Sequence, residues 1–169
     1  MQAAPVDPSR FGSHFGSRFD SRAEFAAHFR ALLARSRHSL QMFDPDFAVT
    51  PLGEPEVDAT LRAFLAGGGA IQLALHQSGY LERERPRFLR LLRDFGHRIE
   101  CRATPPGLRQ LTDSFCIGDA VHIVRRFHCD HMRGEVRFDD PGAVEISAER
   151  FAALWLESRP TLAVTTTGL

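Results

Sequence analysis

The stretch SFCIGDAVHIVRRF, Ser114 to Phe127, decides the fold. Two apolar runs flank Gly118-Asp119, and a glycine-first pair between β-prone runs predicts a hairpin with a two-residue turn. Upstream of it the chain alternates. SLQMF (39–43), AIQLALH (70–76) and RIECR (98–102) read as strands. SRAEFAAHFRALLARSRH opens with a capping box, Ser21 to Glu24, and sets Phe25, Phe29, Leu32 and Leu33 at helical spacing. PEVDATLRAFLAGGG is a second helix stopped by glycines. LERERPRFLRLLRDFG is a third, with Pro86 near its start and Gly96 as its stop. ATPPGLRQLT reads as a loop or one helical turn, and SAERFAALWLESR as a last helix capped by Ser147 with Phe151, Leu154 and Trp155 facing in. The order α-β-α-β-α-β-turn-β-β-α predicts a single-domain layered α/β fold, a sheet with helices on both faces. The closing hairpin makes that sheet mixed.

Residues 1–20, with the Gly- and Ser-rich echo FGSHFGSRF, read as a flexible tail that orders on contact. The domain is expected over 21–160, followed by a C-terminal tail at 161–169.

All 21 basic residues are arginine, and the chain holds neither lysine nor asparagine. No step can therefore use a lysine amine as nucleophile, Schiff-base former or phosphate ligand, and a Walker loop is excluded. The 21 acids balance the arginines to a formal net charge of zero, so no whole-molecule field favours nucleic acid, an unlikely partner, or anionic lipid. No apolar run approaches the roughly 20 residues of a membrane span. The N-terminus lacks an apolar signal core, which predicts a cytoplasmic protein. Cys101, Cys116 and Cys129 are odd in number and scattered, unlike a disulfide framework.

Sites in such sheets lie outside the carboxyl ends of the parallel strands. Those ends carry Asp44 and Asp46 in FDPD, His76 in LHQSGY, and CRATPP (101–106). Asp44 and Asp46 suit a cation or polar ligand, but equally an Asp-Pro-Asp turn. His76 is a base or a hydrogen-bonded structural residue. Beyond the hairpin, RRFHCDHMRGE (125–135) admits four readings. Arg125, Arg126 and Arg133 offer guanidinium forks for an anion. His128, Cys129 and His131 are metal-ligand types, yet structural zinc usually takes two spaced pairs, and no second pair follows. Cys129 beside His128 resembles a nucleophile with its base, but neighbours on an extended segment point apart. The fourth reading is a polar loop of Arg–acid pairs. No catalytic residue, metal or cofactor is assigned.

With its closing hairpin, ARSRHSLQMFDPDF and the ending FAALWLESRP (F-x-x-L-W-x-x-S, Phe151 to Ser158), the chain resembles one half of the phospholipase D superfamily. More specifically, it is similar to an uncharacterised bacterial phospholipase-D-like family, met alone or appended to acetyltransferase domains. The resemblance runs over residues 22–160 and implies the half-fold. It also implies a catalytic H-x-K-x4-D segment, in which histidine attacks phosphorus, lysine holds phosphoryl oxygens and aspartate supports the histidine. With Asp119 as that aspartate, the histidine position holds Thr112 and the lysine position Ser114. The implied activity therefore has neither nucleophile nor cation. The expectation is a non-catalytic binding or interaction module. The alternative is a phosphodiester-binding or hydrolytic enzyme with a rearranged site, which Asp44, His76 and Arg126 meeting in one pocket would favour. Two partners follow from the resemblance, a second copy forming a homodimer or an acetyltransferase in its place.

Overall fold

The computed structural model describes residues 15–162. Helix α1 (Arg22–Arg35) starts at Ser21 with the capping box complete, the Ser21 side chain taking the Glu24 N–H and Glu24 returning to the Ser21 N–H. Its Phe25, Phe29, Leu32 and Leu33 are buried, as their spacing predicts. Helix α2 (Pro55–Ala66) ends at the glycines. The expected third helix is two, α3 (Gly79–Glu84) and α4 (Pro86–Asp94). Arg85 stands between them at φ −126° and ψ 58°, because the residue before a proline is driven out of the helical region.

Strands β2 (Ser39–Phe43), β3 (Ala70–Leu75) and β4 (Ile99–Ala103) pair in parallel. Strands β5 (Ser114–Gly118) and β6 (His122–Arg126) form the expected hairpin, and β5 lies antiparallel beside β2. The turn itself differs from expectation. It centres on Asp119-Ala120, both at positive φ, with the Val121 N–H donating to the Gly118 carbonyl. Gly118 serves close approach instead, since a Cβ there would stand 2.1 Å from Ser36 Oγ.

Three strands were not expected. Strand β7 (Gly134–Phe138) follows β6, and β1 (Phe15–Phe19) pairs antiparallel with β7. The supposed loose tail thus contributes an edge strand. Its call as residues 1–20 otherwise falls outside the described residues. The two-residue β8 (Arg159–Pro160) lies on β4, completing the order β1-β7-β6-β5-β2-β3-β4-β8.

The sheet has helices on both faces. Phe29, Leu61, Leu81 and Phe88, from α1 to α4, share one core with Leu40, Leu73 and Val124. Helix α5 (Pro141–Glu157) covers the other face, where Val144, Phe151 and Leu154 pack on Phe43, Phe115 and Ile123. It begins well before Ser147. Asp140 is the cap, accepting the Ala143 N–H, and Pro141 occupies the first turn. Ser147 is buried mid-helix.

Candidate functional site

Strand β2 ends at Phe43, and the next residue turns its carboxylate inward. Asp44 Oδ1 accepts the N–H groups of Asp46 (3.0 Å) and Phe47 (2.7 Å), holding Phe47 at φ 58°. Its Oδ2 accepts from Arg126 Nη2 at 2.9 Å. Arg126 closes β6 opposite Ser114, the first residue of β5. Its Nε donates to Ser114 Oγ at 3.1 Å and its Nη1 to the Cys129 carbonyl at 3.0 Å. Its guanidinium carbon lies 5.3 Å from the centre of the Phe25 ring. Both members of the ion pair are buried, with side chains 1% and 2% exposed. Burial pushes the Asp44 carboxyl up, while Arg126 and the two amides pull against it.

His76 does not join them. Its Nδ1 meets Thr104 Oγ1 at 2.5 Å, its Nε2 meets the Leu111 carbonyl at 2.7 Å, and the ring packs edge-on against Phe43. Asp46 accepts the Ala48 N–H at 2.9 Å, a turn contact. The crevice beside Asp44, walled by Phe25, Phe29, Phe43, Phe47 and Phe115, keeps only about 10 Å³ of space, hardly one water. Asp44 and Arg126 therefore converge in a filled interior, not in an open pocket.

An open, shallow groove of about 520 Å³ lies between residues 110–113, the end of β6 and α5. It carries Thr112 with Arg125, Arg126 and Arg150. Each guanidinium has its own carboxylate: Arg125 pairs with Glu135, Arg126 with Asp44, and Arg150 with both oxygens of Asp113. Phe127 and Ile146, 46% and 70% exposed, also line it. Arg133 lies apart, in a neighbouring groove with Asp20, His128 and His131. Sequence reasoning missed Arg150, Asp113, Thr104, Phe127 and Ile146. Of these, Asp113 beside Thr112 was the one within reach, because it sits inside the motif segment.

Cys101 and Cys116 are buried, which pushes the Cys101 thiol up to about 12 and raises that of Cys116 as well. Neither is a nucleophile at neutral pH. Asp119 is a backbone clamp. It accepts the N–H groups of Arg37 (2.7 Å), His38 (2.8 Å) and Ser39 (2.9 Å), tying the hairpin tip to the start of β2. Desolvation works to raise its pKa, but the three amides together prevail and lower it. A carboxylate with a depressed folded pKa gives stability that is present above its unfolded pKa and lost as pH falls through the folded value. Asp119→Ala should cost about 2 kcal/mol at neutral pH. The gap in urea midpoints from the parent protein should narrow as pH falls through the lowered folded pKa of Asp119. A gap that persists undiminished in acid would show that the carboxylate charge is not what holds the tip.

Among curated proteins, none matches the chain in sequence. Solved structures match its fold. The phospholipase D family member Nuc from Salmonella typhimurium is 16% identical, with 88% of this chain and 99% of that chain covered and a TM-score of 0.67. NucT from Helicobacter pylori is 8% identical, with 88% and 100% covered and a TM-score of 0.61. TrmBL2, an archaeal chromatin protein described with a novel mode of DNA binding, is 13% identical, with 86% and 54% covered and a TM-score of 0.65. At these identities the likeness establishes a phospholipase-D-like fold and nothing of activity. The family model described as "Domain of unknown function (DUF7931)" matches residues 21–165, so the chain belongs to that family.

Proposed function

We propose that the protein is a non-catalytic interaction module on a degenerate phospholipase-D-like fold, with the groove beside α5 as its contact surface. One observation carries this reading. Where the motif would place a nucleophile and a cation, Thr112 and Ser114 stand, and the nearest guanidinium, Arg126, spends its donors on Asp44, Ser114 and a backbone carbonyl. The groove's cations are paired, so a bare phosphate gains little there. Arginine and exposed apolar side chains around a neutralised floor suit a protein partner better.

The fold neighbours whose names tie them to phospholipase D or to DNA make phosphodiesters the ligand class to test against. We expect no turnover of a generic aryl phosphodiester and no saturable binding of a labelled oligonucleotide at physiological salt. Metal-independent hydrolysis that disappears in His76→Gln would overturn the non-catalytic reading. Saturable binding lost in Arg125→Glu/Arg150→Glu would move the groove to the phosphodiester-binding alternative.

A further inference from the structure

The turn that follows β6 gathers side chains that the sequence alone keeps apart. His128 to His131 do not form an extended segment. The His131 N–H donates to the His128 carbonyl at 3.2 Å, which curls the four residues into a turn. The objection that neighbouring side chains point to opposite sides therefore falls. One ligand atom each from His128, Cys129 and Asp130 lies within 4.8 Å of the others. The rings of His128 and His131 are 5.6 Å apart between centroids and inclined at 45°. Two imidazoles on one tetrahedral ion bring their centroids to about 5 Å, from metal–nitrogen bonds of about 2 Å.

We propose that His128, Cys129, Asp130 and His131 form a binding site for a borderline-soft divalent cation of the zinc type, in the neighbouring groove that shares Phe127 with the α5 groove. The donor set selects the ion. Imidazole nitrogen and thiolate sulfur suit zinc or cobalt(II), whereas calcium and magnesium need a shell of oxygens that one carboxylate cannot supply. A thiolate and a carboxylate also balance the ion's two charges, which keeps the neutral surface of the groove intact.

The backbone of the turn is fixed before any ion arrives. The Cys129 N–H donates to the Thr112 carbonyl at 2.6 Å, the Cys129 carbonyl takes Arg126 Nη1 at 3.0 Å, and the Phe127 N–H donates to the Arg133 carbonyl at 3.1 Å. Only side chains must move. His128 Nδ1 accepts the Asp130 N–H at 3.1 Å, a contact that the ion replaces. A metal that takes Cys129 as thiolate displaces the thiol proton. Through the Thr112 and Arg126 bonds, occupancy would stiffen the groove wall itself.

The experiment uses the full chain, stripped with chelator and kept reduced. Competition against a zinc indicator should give one equivalent. Cobalt(II) should give a thiolate charge-transfer band with tetrahedral-strength visible bands. Cys129→Ser should abolish the charge-transfer band. His131→Ala, an exposed change that leaves folding intact, should weaken zinc at least about 10-fold. A wild-type chain that takes up no zinc, or cobalt spectra without sulfur ligation, would overturn the proposal. So would zinc binding unchanged in both variants.

Discussion

Asp44→Ala should destabilise the protein by about 4 kcal/mol, because breaking a buried ion pair from one side leaves the other charge stranded. Arg126 is 2% exposed, so its charge is largely cut off from water. Asp44 also holds the turn in which Phe47 sits at φ 58°, a conformation costly for an aromatic residue. Against a total stability of roughly 5–15 kcal/mol, this is a large fraction. Equilibrium urea unfolding measures it, and the cycle with Arg126→Met separates the parts. The double variant Asp44→Ala/Arg126→Met should recover part of the loss, since no unpaired charge remains, while the Phe47 turn stays uncapped. A loss under about 1 kcal/mol for Asp44→Ala alone would mean that the pair is not buried as described.

The second large effect concerns Gly134, at the start of β7, where both β1 and β6 pair. A Cβ there would stand 2.1 Å from the Arg125 carbonyl oxygen and 2.5 Å from the Phe19 ring. Backbone on one side and a core ring on the other cannot yield as a side-chain tip does. Gly118 gives the contrast, its hypothetical Cβ meeting only the hydroxyl of Ser36 and a methyl of Leu32 at close range. Gly134→Ala should cost about 3 kcal/mol, with β1 and β7 losing hydrogen-exchange protection before the parallel strands do. Protection of those two strands equal to that of the parent would contradict the argument.

The elements that sequence reading recovered are those whose signal is local. The Ser21–Glu24 box, the apolar spacing of α1 and the glycine stop of α2 each lie within a few residues. Strand β1 was invisible for the opposite reason. Phe15–Phe19 reads as Gly, Ser and Arg between two phenylalanines, and its partner β7 lies more than a hundred residues on. Long-range pairing overrode weak propensity there. At α5, Ser147 offered a familiar cap ahead of an apolar run, and the Asp140-Pro141 signal was passed over although it is the stronger start. The site divides in the same way. Asp44, His76 and Arg126 were each legible as polar residues at strand ends. That Asp44 and Arg126 are bonded, 82 residues apart, and that His76 belongs to Thr104 and Leu111, are tertiary facts with no local trace. The convergence of His128, Cys129 and Asp130 was hidden by taking a turn for an extended segment.

Strand β8 has a consequence for how copies of this chain behave when crowded. The outer margin of β4 meets only Arg159 and Pro160 as strand partners, with the Thr161 N–H reaching the Cys101 carbonyl at 2.9 Å. Proline has no amide hydrogen to offer a newcomer. A foreign strand approaching β8 therefore finds a two-residue stub in which Pro160 offers no amide hydrogen.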